Sequence, residues 1–565
     1  LHDARRALAL APALAGALTT LGAAHQAAGR FAVAAQAHRR ALRVAPDHAK
    51  AWSNLGSALA GQADWGGAKA CHARALALAP ALADALHNMG HVHQTRNEDG
   101  PARVLVHRLL RLAPGHAKGR MNRALLRLAA GDLDGGWADY ESRFAAGTAQ
   151  ARRRFAVPPW RGGDPAGRRI LVWAEQGLGD AILFGSLIPD LVRRGARVTV
   201  ECDARLVPLF ARALPGAVVQ AEGAGTPPGI DAHIPMGSLP GLLRPRVGAF
   251  APSPAWLAPD PVLRTHWRDR MAALGPGLTV GLCWRSSRVT ADRAGAYTRL
   301  SDWLPLLTLP GVRVVNLQYD DCVAEIAAVE GRAGVRLHRW DDLDLKDDLE
   351  AVAALMASLD LVVTAPTAVG ELAGALGVPV WRIGGRGDWS RLGTGARPWF
   401  ASQRVWAEAV GQDAASLPAH VVQELSRFSR TDPRPMMPVP RQETIMSAPL
   451  PPSPPSAVPA PPVTAASSAA AVAQAMIDAL MPFLTDRQFD ADKLNRFAAH
   501  VEVMRTQLPA DVRGEIVAHL MANPPNGDTV RLHSVLFQLS GDLYHFERIL
   551  HYLLLGGREV EPALL

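Results

Sequence analysis

Two hydrophobic patterns divide this 565-residue chain. In the first, residues recur every 34 positions: Pro12, Pro46, Pro80 and Pro114, then Leu21-Gly22, Leu55-Gly56 and Met89-Gly90, then Ala34, Ala68 and Ala102. Small residues at fixed places let two helices approach closely, and a proline after each unit closes the second helix and sets the turn into the next. This predicts a stack of helix pairs over residues 1–150, each pair burying its apolar face against a neighbour. In the second pattern, from residue 170, apolar runs of buried-strand length alternate with helix-length segments. Strands are expected at 170–174, 197–201, 279–284, 312–318, 335–340, 361–365 and 378–383. Helices are expected at 181–194, 301–307, 323–329, 347–358 and 367–376. The run Glu175-Gln176-Gly177-Leu178-Gly179-Asp180 joins the first strand to its helix, so strand, glycine turn, helix and strand form a βαβ unit. Such a succession predicts two doubly wound, Rossmann-like lobes in series, at 155–265 and 278–428, with a cleft between the carboxyl ends of their strands.

Composition changes the picture at the C-terminal end. Twelve prolines with many alanines and serines fall between residues 432 and 468, a stretch that buries too little to fold and reads as an extended linker. Residues 471–565 again repeat apolar positions at three and four, predicting a small helical domain without a chemical motif. The net charge of +8 and pI near 9.7 invite a nucleic-acid reading. Five lysines among 60 basic residues, with arginines scattered and interleaved with acids, argue against it, and no nucleic-acid partner is expected. Cys71, Cys202, Cys283 and Cys322 lie far apart with no CxxC pair, so neither a metal site nor a disulfide framework is expected. No leader is recognised and no run reaches the ~20 apolar residues of a membrane span; a reducing, cytoplasmic setting is the expectation. His38, His72, His87, His91 and His93 are read as helix-surface residues rather than metal ligands.

Trp52, Leu55, Gly56, Ala68, Ala75 and Pro80 resemble the tetratricopeptide consensus residue by residue. Two roles for such an array stay open: a concave surface that selects a macromolecular partner, or a scaffold that only orients the rest. The stretches GWADYESRF, PPW, ILVWAEQGLGDAILFGSLIPDLVRRGARVTVEC, VGLCWRSS, NLQYD and DLVVTAPTAVGELAGALGVPVW together resemble bacterial tetratricopeptide-repeat glycosyltransferases over residues 118–410. That group is similar to the glycosyltransferase family 9 heptosyltransferases and, more distantly, to protein O-GlcNAc transferase. The resemblance implies a GT-B fold and inverting transfer from a nucleotide-activated sugar to a protein or surface-glycan acceptor. It implies the nucleotide-sugar as co-substrate, with no resident cofactor or metal.

On that resemblance Asp180 is the general base that takes the acceptor's hydroxyl proton; a helix N-cap is the competing role, and Glu175 is the alternative carboxylate. Gln176, Gly177 and Gly179 would bring backbone N–H groups to substrate. On the donor side, Arg285 and Ser286 are candidates for the diphosphate. Gln318 is a candidate for the base or ribose, or a brace for its loop. Thr367 is a candidate for phosphate, or a cap. Asp388 and Trp389, with Pro398-Trp399-Phe400, are candidates for the cleft wall. Many relatives carry Asp or Asn and then His where this chain has Pro366 and Glu371. A carboxylate near a diphosphate repels it, so Glu371 either meets a sugar or ribose hydroxyl or turns away. The departure keeps open a second function, a non-catalytic repeat scaffold fused to a degenerate transferase lobe.

Overall fold

The computed structural model describes residues 14–250, 255–383, 388–406 and 417–428; the linker at 432–468 and the tail at 471–565 lie outside the described residues. The chain opens with α1 (Ala15–Ala27), α2 (Phe31–Val44), α3 (Ala49–Ala60), α4 (Trp65–Leu78), α5 (Ala83–Thr95), α6 (Asp99–Leu112), α7 (Ala117–Ala129) and α8 (Leu133–Tyr140). These pair as α1–α2, α3–α4, α5–α6 and α7–α8, and successive pairs stack, giving the tetratricopeptide-type solenoid. Asp64 and Asp132, two repeats apart, cap α4 and α8 by accepting the N–H of Gly67 and Gly135. The recurring glycines have a steric cause. A methyl group on Gly22 would lie 2.4 Å from the His38 ring, and one on Gly56 2.7 Å from His72; Gly90 meets Val106 in the same register.

His38 and His72 are therefore not surface residues: both rings are fully buried, and among the described residues none of their nitrogens has a hydrogen-bond partner. The recurring glycine makes the hole and the imidazole fills it. Burial lowers each pKa from 6.5 to about 4. The unfolded chain thus binds more protons than the fold between pH 6.5 and 4, and stability falls as pH falls through that window. At pH 5 the loss is about 2 kcal/mol per histidine. The double variant His38→Val/His72→Val copies Val106 and should lose less of its unfolding midpoint than the parent between pH 7.5 and 5. Parallel pH profiles would remove this origin of acid sensitivity.

After α9 (Arg143–Ala146) comes the first lobe: β1 (Arg169–Trp173), α10 (Leu178–Gly185), α11 (Ile188–Arg193), β2 (Arg197–Cys202), α12 (Val207–Ala213), β3 (Val218–Ala221), β4 (Ala232–Pro235) and α13 (Leu239–Leu243). Its strands are parallel in the order β3-β2-β1-β4. The single helix expected at 181–194 is two, broken at Ser186-Leu187. Pro189 cannot donate to a helical partner, and the Ser186 hydroxyl donates to the Leu183 carbonyl at 2.6 Å. α14 (Pro261–Ala272) leads on and packs against the Leu349–Met356 helix of the second lobe.

The second lobe comprises β5 (Leu278–Cys283), α15 (Ala291–Ala294), α16 (Leu304–Leu307), β6 (Val312–Asn316), α17 (Val323–Ala333), α18 (Leu349–Met356), β7 (Leu361–Thr364), α19 (Ala368–Ala375), β8 (Val380–Ile383), β9 (Gln403–Trp406) and α20 (Leu417–Phe428). Its strands are parallel in the order β6-β5-β7-β8-β9. The strand expected at 335–340 is reduced to one bridge, in which His338 exchanges two backbone hydrogen bonds with β6. Arginine side chains on both sides of His338 leave little to bury at this sheet edge. β5 and β7 are buried along nearly their whole length, as parallel strands covered by helices on both faces are. Among the described residues no helix is long and apolar enough to cross a membrane.

The lobes are tied along one side by Arg212–Glu350 at 2.7 Å and Arg205–Asp347 at 3.1 Å. The array touches both. Trp137 and Tyr140 on α8 pack edge-on or tilted against Phe184 of the first lobe and Trp389 of the second, and Trp399 joins them. These aromatic contacts form a three-way junction of the array with the two lobes.

Candidate functional site

The two lobes meet where α10 packs on α19. Gly179 is what permits this. A methyl group there would stand 3.3 Å from the Ala368 Cα and 3.4 Å from the Glu371 side chain, so the glycine turn serves close helix approach across the lobes. Gly177 is the N-cap of α10, in extended conformation, and Asp180 is the third residue of that helix rather than its cap. Its carboxylate accepts the Gly177 N–H and is partly enclosed.

The pKa of Asp180 is raised from 3.8 to about 6, first by burial and then by the Glu371 carboxylate; the Gly177 N–H, Arg293 and Arg397 pull the other way. The helix N-terminus, expected to lower this pKa, is outweighed. Glu175, five residues upstream, has a different setting. It is fully buried, 2.9 Å from the guanidinium of Arg143, and accepts the Gly237 N–H at 3.1 Å. Arg143 is itself fully buried and also reaches Glu141 and the Ser238 hydroxyl. The alternative base is thus an ion-pair partner that pins the end of the array to the first lobe. Gln176 and the Tyr140 hydroxyl hydrogen-bond each other at 2.9–3.0 Å beside it.

On the facing helix α19, Glu371 is not left bare. It is buried and accepts two hydrogen bonds from Arg397, at 2.6 and 2.9 Å, and one from Arg382 at 2.9 Å. Arg397 also donates to Ser390 and Gln403. Asp388 caps the turn at Ser390 and lies 3.7 Å from Arg382. This balanced cluster binds α19 to β8 and the 388–400 segment. Trp389 belongs to the aromatic junction and Trp399 is fully buried, so this stretch braces the junction instead of lining an open wall.

The remaining donor-side candidates are held by their own loop. Arg285 is paired with Asp320 at 2.9 Å and with Glu325. Gln318 accepts the N–H of Trp284 and Arg285 at 3.1 Å and donates to the Arg285 carbonyl at 3.0 Å, which is the bracing role. Ser286 accepts from the Tyr319 hydroxyl at 3.4 Å. Thr367 occupies the N-cap position of α19 without capping it; its hydroxyl lies 3.3 Å from that of Thr364. Three residues that sequence reasoning missed shape the site electrostatically: Arg143, Arg382 and Arg397. Arg143 lies within the GWADYESRF stretch, Arg382 follows the stretch that ends at Trp381 and Arg397 precedes the Pro398-Trp399-Phe400 run; those placements were the sequence signals for them. Among the described residues no group of three His, Cys, Asp or Glu side chains is placed to hold a metal ion.

No family model matches the chain. Protein FlbA of Caulobacter vibrioides is 37% identical over 322 residues, 52% of this chain and 54% of FlbA, so the match spans about half the length of that relative. Among solved structures, a mutant of Thermobaculum terrenum O-GlcNAc transferase matches at 16% identity over 74% of this chain and 93% of its own, with a TM-score of 0.30. The glycosyl transferase family 9 protein of Veillonella parvula matches at 12% identity over 48% and 99%, TM-score 0.36. E. coli ADP-heptose lps heptosyltransferase II matches at 14% identity over 46% and 98%, TM-score 0.35. By its own architecture, repeat hairpins leading directly into twin parallel-sheet lobes, the chain resembles bacterial tetratricopeptide-repeat glycosyltransferases.

Proposed function

We propose that the chain is an inverting glycosyltransferase that moves a sugar from a nucleotide-activated donor to a hydroxyl of a protein or surface-glycan acceptor. The observation that carries this reading is Asp180. A carboxylate at the contact of two Rossmann-like lobes, with its pKa raised to about 6, is ionised at neutral pH yet far more basic than an ordinary aspartate. General-base catalysis favours a pKa near the working pH. The burial and the Glu371 charge that raise it are features a mere cap has no need of. In this reading the hydroxyl proton passes to Asp180 as the acceptor oxygen attacks the anomeric carbon and the donor's phosphate leaves. Arg293, close enough to act on the Asp180 charge, joins the donor-side candidates.

A second reading, a repeat scaffold with a degenerate transferase lobe, is favoured by one observation. Arg285, Arg382 and Arg397 already satisfy carboxylates of the protein itself, so a diphosphate would have to compete for them. A thermal-shift panel of nucleotides and nucleotide-sugars, run with and without EDTA, separates the two. Ligand that binds only the fold raises the midpoint as RT ln(1 + [L]/Kd). The transferase reading expects a shift with at least one nucleotide-sugar, undiminished by EDTA. No response at millimolar ligand would leave the scaffold reading.

A further inference from the structure

A cavity of about 720 Å³, separate from the contact of α10 and α19, opens where the array, the 152–161 connector and the end of β4 meet. One wall is the face of α8 carrying Asp134, Trp137 and Ala138, and apolar lining comes from Phe155, Trp160 and Trp173. Phe155 is held against His233, ring centres 4.2 Å apart, so this surface is fixed by packing. The connector adds four guanidinium groups. Arg152 is matched by Glu141 and Arg153 by Glu201. Arg154 and Arg161 are exposed and, among the described residues, have no ion-pair partner. The lining carboxylates are Asp134 and Glu141, and Glu141 is already shared by Arg143 and Arg152.

We infer that this cavity binds an acidic peptide segment, carboxylate side chains interleaved with apolar ones, belonging to the macromolecular acceptor. Arginine forks match carboxylates bidentately, and the aromatic lining covers the apolar neighbours. Arginine and tryptophan are also residues that dominate peptide and protein interfaces. A dense polyanion fits worse, because Asp134 stands in the wall and only two of the lining cations lack partners among the described residues. The location gives the cavity a use. Trp137 lines it, and the ring of Trp137 packs on Phe184 of α10 and on Tyr140, whose hydroxyl holds Gln176. Trp137 and Tyr140 therefore link the cavity to Gln176, the residue that precedes the Gly177–Asp180 turn. The acceptor's role here rests on the transferase reading; the binding does not.

The test uses the full chain and a fluorescein-labelled eight-residue peptide of alternating Glu and Leu, followed by anisotropy. Saturable binding is expected, weakened by salt. It should weaken about tenfold or more in Arg154→Glu/Arg161→Glu, a change in exposed side chains that leaves the unfolding midpoint near the parent's. The corresponding Lys-Leu peptide should bind the parent at least about tenfold more weakly and gain on the charge-reversed protein. No saturable binding of the acidic peptide below millimolar, or binding indifferent to charge reversal, would overturn the proposal. Equal binding of a heparin fragment or an oligonucleotide would also overturn it, assigning a generic polyanion patch. The nucleotide-sugar panel is scored apart. Peptide bound without any nucleotide response upholds this site and sinks the transferase reading, and the reverse pattern sinks this site alone.

Discussion

Asp180→Asn should fold, bind donor about as well as the parent, and lose turnover by about 10²–10⁴-fold, the usual worth of a positioned general base. Asparagine keeps the size and an oxygen that can accept the Gly177 N–H, but has no basicity. The structure adds a stability signature that separates this outcome from a damaged fold. The Asp180 carboxyl has a higher pKa in the fold, about 6, than in the unfolded chain, near 3.8. The fold therefore holds the extra proton between those values, and stability falls as pH rises from about 3.8 to 6, by up to about 3 kcal/mol in all, less where water reaches the partly exposed residue. Asp180→Asn removes that cost. Its unfolding midpoint should exceed the parent's at pH 8 and converge with it near pH 4. Parent kcat/KM should fall as pH drops below about 6, as the base is protonated. A variant with near-parent turnover would remove the base assignment.

Arg143→Met should be strongly destabilising, by about 3–5 kcal/mol, because it leaves the buried Glu175 carboxylate with one backbone N–H for company. Restoring a matched pair should recover much of the loss: Arg143→Met/Glu175→Leu is expected to be more stable than Arg143→Met alone, since removing both charges removes the unpaired one. Denaturant midpoints of the parent, the two single variants and the double variant give this coupling directly. Glu175→Gln closes the matter of the alternative base. It keeps the shape and can still accept from Gly237 and Arg143, so it should retain most turnover while losing some stability. If Glu175→Gln instead folded normally and lost turnover as completely as Asp180→Asn, Glu175 would be chemically engaged and the ion-pair assignment incomplete.

The sequence by itself determined the periodic parts of this protein. The 34-residue recurrence and the apolar runs are local signals, and periodicity survives without knowledge of neighbours, so the solenoid, β1 and β2 of the first lobe and β5 to β8 of the second were legible. β3, β4 and β9 were not: β3 and β9 are only partly buried, and β4 carries His233 and Pro235 among its four residues, so no apolar run stands out. Side-chain roles belong to the tertiary structure alone. Glu175 and Asp180 share one loop and one chemistry. Arg143, 32 residues upstream, claims the first, while Glu371, far downstream on the other lobe, raises the second. His38 and His72 read as surface residues because nothing around them in sequence announces that a glycine on the neighbouring helix has opened a hole. Glu371 read as a misplaced charge until Arg382 and Arg397 closed on it. A carboxylate's function depends on the few ångströms of charge and water around it. Chain positions far apart in number set that environment, and only folding brings them together.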